Sequence, residues 1–421
     1  MTRTHNSGKL LLLLVLCSLL FSATGAYATE LCRPDQIVVE LEPGVAIAPI
    51  AQELKLQVLD SIDDDLTYLV SFSKARDLNK VLDSLSLLEG VKVAYGNRLM
   101  TIPEVFQVSQ GFPDQAMPTF IRGVSPESFY DQTGVYATGI EEAQQLATGN
   151  GVVVAVIDNG IDINQPLVKA STVLRGKDFV DYDANPDEEP GTYLGHGTFV
   201  SVLILLTAPE CTLVPVRAFN GEGIGSQFDI AKAINWAVAQ RVDVINMSFG
   251  SEGLDLVLER AIDKARRKEI VLVASTGNEG TDLPLYPAAS EGVIAVGAID
   301  PQELVADFSS WGPHVDLCAP GVNVYSGLAG EFEWGTWSGT SFAAPFISGT
   351  AALVLDATSP GASREMAAHL RASARTDLLW GKPEVPDLHY GYGVLDAHRA
   401  VSSVIKGDLN LDNVVDPLDI Q

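Results

Sequence analysis

The sequence predicts an α/β fold, a parallel β-sheet with helices on both faces, preceded by a small α+β unit. Three observations carry this. From Gly151 onward, "GVVVAVID", "CTLVPVRAF", "VDVINMSF", "EIVLVASTG" and "GVIAVGAI" are short β-branched runs, apolar almost throughout, which marks strands buried on both faces. Amphipathic stretches such as "FDIAKAINWAVAQ" and "LDLVLERAIDKARRK" alternate with them, the order of a doubly covered parallel sheet. Residues 36–102 read differently, with alternating strands and two helical spacings.

The elements follow in chain order. "MTRTHNSGK" carries Arg3 and Lys9, the apolar "LLLLLVLCSLLF" follows, and "SATGAYA" ends in Ala26-Tyr27-Ala28, so residues 1–28 read as an export signal peptide. The apolar run is shorter than the roughly 20 residues of a membrane span, which predicts a secreted mature chain with no membrane anchor. In residues 29–102, "QIVVEL", "LQVLDSI", "LTYLVSF" and "VKVAYGNRLMTI" are strands, and "VAIAPIAQELKL" and "ARDLNKVLDSLSLL" are helices. Two helices on one face of an antiparallel sheet make the α+β unit. Residues 103–127, rich in Gly, Pro and Ser, form a linker. The main domain spans 128–403, and residues 404–421 form a separate acidic loop.

Composition narrows the function classes. The chain has 421 residues, 47% of them hydrophobic, enough for one large domain with smaller appendages. Its net charge of -27, with no basic cluster, excludes nucleic acid and anionic membrane surfaces as partners. Cys17 leaves with the signal. Cys32, Cys211 and Cys318 remain, and buried free thiols are the default for them, although export permits a Cys211–Cys318 disulfide.

Four segments carry chemistry. Asp158 ends the run "VVVAVID", where a carboxylate needs hydrogen bonds to be tolerated. His196 stands between two glycines at the start of the apolar "GHGTFVSVLILL", and Asn278 lies on the glycine-flanked loop of "VASTGNEG". Ser341 opens the run of "GTSFAAPFISG". Each has an ordinary local reading as a turn residue or helix cap. Together they give the chain order Asp, His, Ser, each at the end of an element. With these motifs the chain resembles the subtilisin-like serine peptidases (subtilases) from about Ser128 to Val401.

The resemblance implies a serine endopeptidase that needs no cofactor for catalysis and acts on polypeptide substrates. Ser341 is implied as nucleophile, His196 as base and Asp158 as its orienting carboxylate, with Asn278 and the Ser341 N–H meeting the oxyanion. It also implies that "NMSFGS" is a substrate-pairing edge, with Ser248, Phe249 and Gly250 offering backbone groups to an extended peptide. Glu279, beside Asn278, suggests a modest preference for Lys or Arg. Pro345 reads as lying within the first turn of its helix, where it sacrifices no bond. Residues 29–102 resemble the inhibitory propeptide of subtilases, so the chain's own propeptide is an expected partner and the protein an expected zymogen.

Several positions depart from the family pattern. Asn159 replaces the usual Ser or Thr, Val202 a common Gly, and Phe199, Phe342 and Phe346 the usual His or Met; bulky neighbours here suggest a narrowed cleft. The run "DYDANPDEE" reads as a solvated charged surface, with calcium the lesser alternative. The last segment is more specific. Asp408, Asn410, Asp412, Asp416 and Asp419 fall at loop positions 1, 3, 5, 9 and 12 of a calcium loop similar to half a dockerin module, suggesting a structural Ca2+ and, were the module complete, a cohesin-like partner. The rival reading is a catalytically silent subtilase scaffold that acts as a binding module. A dinucleotide-binding protein is disfavoured by the missing G-x-G-x-x-G, and an esterase by the missing G-x-S-x-G.

Overall fold

The computed structural model describes residues 32–62, 66–103, 119–120, 127–330, 333–358, 362–377 and 386–405. Residues 1–28, read from the sequence as an export signal, most of residues 103–127, read as a linker, and the loop with Asp408, Asn410, Asp412, Asp416 and Asp419 lie outside the described residues. The chain divides into two compact units, the first ending at Leu99 and the second beginning at Met100.

The first unit contains β1 (Cys32–Leu41), α1 (Ile47–Leu54), β2 (Gln57–Ile62), β3 (Thr67–Ser71), α2 (Leu78–Ser86) and all but the last two residues of β4 (Val91–Thr101). These strands pair antiparallel in the order β4-β1-β3-β2, with Val38 opposite both Leu69 and Tyr95. The period of two puts Ile37, Val39 and Leu41 on one face. There they join Val70 and, from the helices, Ile50, Val81 and Leu85 in a single core. Asp77 starts α2 by accepting the Lys80 N–H at 3.1 Å. The α+β expectation holds.

The second unit is built on a parallel sheet: β5 (Val153–Asp158), β6 (Thr172–Val173), β7 (Lys177–Asp178), β8 (Thr212–Arg217), β9 (Val244–Met247), β10 (Val271–Ser275), β11 (Val293–Ile299) and β12 (Leu317–Pro320). Their order is β12-β11-β10-β9-β5-β8-β6, with β7 also beside β8. Strands β9, β10 and β11 are buried along their whole length, as their unbroken apolar runs require. The chain places β8 on one side of β5 and β9 on the other. This makes β5 the switch point, and Asp158 sits at its carboxyl end, where ligands bind in such sheets. Because all these strands run the same way, the loops after β5, β9 and β10 open on one edge.

Helices α3 (His196–Thr207) and α6 (Thr340–Ala357) pack on each other, as do α4 (Gln227–Gln240) and α5 (Leu256–Arg267). Every residue of α3 is buried, and so is α6 from Thr340 to Val354. Their apolar character all round fits helices enclosed by protein. Helix α6 is long and apolar enough to cross a membrane, but it is the core helix of this unit. Helix α5 is amphipathic, capped by Asp255 at 2.9 Å from the Val257 N–H. Its last turn carries Lys264, Arg266 and Arg267, which complement the helix dipole.

Cys32, Cys211 and Cys318 are buried, and Cys211 and Cys318 are free thiols. Burial pushes the thiols of Cys211 and Cys318 up to about 12, so neither forms a reactive thiolate near neutrality.

Candidate active site

Asp158 and His196 meet because β5 ends where α3 begins. His196 Nδ1 lies 2.8 Å from Asp158 Oδ1, and both side chains are almost wholly buried. The same oxygen accepts the Asn159 N–H at 2.8 Å, which fixes the carboxylate against the turn. The close approach demands glycine at 197, since a Cβ there would stand 2.1 Å from the Gly160 carbonyl. Asn159, the departure from the family pattern, ties the two elements together. Its Oδ1 accepts the Gly197 N–H at 2.9 Å and its Nδ2 donates to the Tyr193 carbonyl at 2.7 Å.

Ser341 is the second residue of α6, in the first turn, where backbone N–H groups have no partner within the helix. Pro345 is the sixth, so it does not lie in the first turn as the sequence suggests. The proline therefore removes the bond that the Ser341 carbonyl would accept from residue 345. Ser248, just after β9, replaces it: its hydroxyl donates to the Ser341 carbonyl at 2.8 Å. In return the Ser341 hydroxyl donates to the Ser248 carbonyl at 3.3 Å, a long and weak bond. Ser248 thus serves this site through its side chain as well as its backbone.

Asn278 follows β10 on the same edge. Its Oδ1 accepts the Thr340 N–H at 2.8 Å and the Thr340 hydroxyl at 2.9 Å. A backbone N–H can only donate, so the orientation of this amide is fixed and Nδ2 is the end presented as a donor. Thr340 Oγ1 also accepts the Gly277 N–H at 3.1 Å, which makes Thr340 the lock between the Asn278 loop and the start of α6.

The edge at Ser248–Gly250 is paired. Gly250 forms an antiparallel bridge with Thr101, its N–H 3.3 Å from the Thr101 carbonyl. The next residue, Ile102, donates its N–H to the Gly223 carbonyl at 3.0 Å. Phe249 faces the core, its ring 4.8 Å from that of Phe219, so only its backbone serves this edge. The other phenylalanines do not narrow a cleft. Phe199, Phe342 and Phe346 are fully buried. The Phe342 and Trp337 rings lie 5.3 and 5.6 Å from the His196 ring, forming an apolar wall beside the imidazole. The half-buried Glu279 accepts the Ser310 hydroxyl at 3.1 Å.

Arg217, aligned with Asp158 on the neighbouring strand, lies outside the motifs picked from the sequence. It is buried and binds Asp178 at 2.6 Å, Asp181 at 2.8 Å and Glu189 at 2.5 Å. The run "DYDANPDEE" is therefore fastened to an internal guanidinium rather than simply solvated. A lone Arg at the end of an apolar strand and an acidic run were both visible in the sequence; nothing local joins them. Among the described residues no group of three or more His, Cys, Asp and Glu could hold a metal ion. Arg217→Met would leave the buried Asp178 uncompensated, at an expected cost of about 3–5 kcal/mol. Urea unfolding in a Ser341→Ala background checks this.

Comparisons with known proteins show the family. The Subtilase family model matches residues 149–393, and a fervidolysin N-terminal prodomain model matches residues 28–97. The chain is 37% identical over 234 residues to a thermophilic serine proteinase of Bacillus sp. (strain AK1), covering 53% of this chain and 57% of that protein. It is 38% identical over 221 residues to subtilisin E of Bacillus subtilis (strain 168), covering 49% and 56%. The chain thus spans a little over half the length of these two relatives. A thermostable alkaline protease of Halalkalibacterium halodurans aligns over 392 residues at 29% identity, 91% of this chain and 96% of that protein. Fervidolysin from Fervidobacterium pennivorans shares the fold, with a TM-score of 0.75 at 22% identity over 88% of this chain and 61% of that one.

Proposed function

This chain belongs to the subtilase family, and from that premise we propose that it is a secreted serine endopeptidase, made as a zymogen, that works through Asp158, His196 and Ser341. The observation that carries the reading is the buried 2.8 Å contact between Asp158 and His196, on the same sheet edge as an Asn278 amide locked by Thr340.

The chemistry follows from these positions. Ser341 gives up its weak bond to the Ser248 carbonyl and turns its hydroxyl toward His196 Nε2. As Oγ attacks the scissile carbonyl, Nε2 takes the proton, because a free serine hydroxyl is a poor nucleophile. Asp158 keeps the remaining ring proton on Nδ1 and stabilises the imidazolium. The oxyanion is met by Asn278 Nδ2 and the Ser341 N–H, neither of which has to reorganise during the reaction. His196 then protonates the leaving amine, and water repeats the sequence on the acyl-enzyme to release the acid and restore Ser341.

The substrate is a polypeptide bound in extended form. Support comes from Thr101 and Ile102, whose backbones already run between Gly250 and Gly223 as an added strand would. The end of the propeptide is thus a stand-in for substrate, which is the logic of a zymogen. Export is supported by the order of basic, apolar and Ala-Tyr-Ala segments in residues 1–28. The spacing of Asp408, Asn410, Asp412, Asp416 and Asp419 supports a structural calcium loop, with a cohesin-like partner for a complete module.

The test is peptide hydrolysis by the processed protein, with Asn278→Ala as its quantitative arm. Losing one oxyanion donor should lower kcat by about 10²–10³-fold with little change in KM, because the donor acts in the transition state. A comparable rise in KM at unchanged kcat would mean that Asn278 binds substrate instead.

A further inference from the structure

The helix carrying His196 has no cap of its own. It starts from Gly195 at φ 99°, and glycine offers no side-chain oxygen to the N–H groups of a first turn. These groups are nevertheless met from outside the helix. Gly197 is held by Asn159 and His196 by the Tyr193 carbonyl at 3.0 Å. Glu188 takes the other two: Oε2 accepts the Gly195 N–H, and Oε1 accepts the Thr198 N–H at 2.7 Å. The Thr198 hydroxyl donates to the same Oε1 at 2.5 Å. One carboxylate therefore grips the backbone on both sides of His196.

Its charge is poised. Burial drives the Glu188 carboxyl up to about 7, against the pull of its bonds to Thr198 and Gly195, and the charge of Asp158 adds to the rise. The other charged groups of the region are Asp187 and Glu189 on its own loop, Asp162 beyond Thr198, and Arg217. Glu189 is engaged by Arg217, as are Asp178 and Asp181, and Asp162 accepts the Gly330 N–H at 2.9 Å.

We propose that Glu188 is a positioning residue for His196, whose ionised carboxylate caps the imidazole's helix and makes the two groups titrate as a linked pair. Three donors aim at its two oxygens, and the ionised form accepts them more strongly than a protonated carboxyl, whose O–H oxygen is a poor acceptor. The ionised form also adds negative charge beside the ring and favours the imidazolium. The inference rests on His196 being the catalytic base, but the linkage can be read without turnover.

The experiment is NMR titration of ¹⁵N-histidine in full-length Ser341→Ala protein, which holds six histidines. His196 should show a second inflection near pH 7 from its neighbour, as interacting sites do. Glu188→Gln should abolish that inflection and lower the His196 midpoint by about 0.5–1 unit. Thr198→Val, which keeps the carboxylate but deletes one donor, should move the inflection to higher pH, and it decides the matter if Glu188→Gln does not fold. Stability gives a second readout. A carboxyl raised in the folded state from 4.5 to about 7 favours folding below 4.5, and that advantage is lost as pH rises through 7. Glu188→Gln should remove this slope. A His196 titration with one inflection, unmoved by either substitution, would overturn the proposal. Peptide hydrolysis by the unsubstituted chain judges the peptidase reading separately.

Discussion

Ser341→Ala is expected to lower kcat by about 10⁶-fold, the size of loss when a subtilisin loses its nucleophile. The reason is chemical. Alanine keeps the first turn of α6, and the Ser341 carbonyl, a backbone group, still accepts the Ser248 hydroxyl. What disappears is the oxygen that forms the acyl-enzyme. Folding should be intact and the propeptide should stay attached, so one gel of the purified variant reads both outcomes. Residual hydrolysis within tenfold of the unsubstituted protein would place the nucleophile elsewhere. The same variant supplies a stable background for every folding measurement, since an active peptidase digests its own unfolded chain.

The next largest effect belongs to Asp158→Asn, expected to cost about 10⁴-fold in kcat near neutrality with KM nearly unchanged. Asp158 Oδ1 accepts from both His196 Nδ1 and the Asn159 N–H. An asparagine oxygen that keeps both bonds brings no charge to stabilise the imidazolium. An amide turned the other way gives up the Asn159 bond and faces the imidazole as a donor. That forces the ring proton onto Nε2, the atom that must accept from Ser341. Burial sharpens the penalty, because neither side chain can turn to water. Steady-state kinetics of the processed variant checks it. A loss shared equally between kcat and KM would mean that the substitution had deformed the cleft rather than reversed the tautomer.

Much of this is legible in the sequence, and the reason is local. Fully buried strands need unbroken β-branched runs, so β9, β10 and β11 announce themselves. Once those strands are parallel, Asp158 and Asn278, each just after a run, must share one edge. The small α+β unit is legible because its strands alternate and its helices do not. What escapes the sequence depends on distance or facing. Pro345 is misread because the start of α6 at Thr340 puts it one turn deeper, and the replacement donor, Ser248, comes from another strand end. Phe199, Phe342 and Phe346 suggest a crowded cleft only while the buried side of their helices is unknown. Glu188 caps a helix eight residues ahead of His196 through a loop, and no capping pattern spans such a gap. Arg217 meets its three carboxylates only after β7 and β8 pair.

The most direct measurement is reaction of the processed, folded protein with a fluorophosphonate probe, followed by intact mass and mapping of the adduct. One adduct per chain is expected, on Ser341, absent in Ser341→Ala and strongly reduced in Asp158→Asn. No adduct from protein whose propeptide has been verifiably removed would contradict it, and the chain would then be a silent scaffold with the fold of a peptidase and no activated serine.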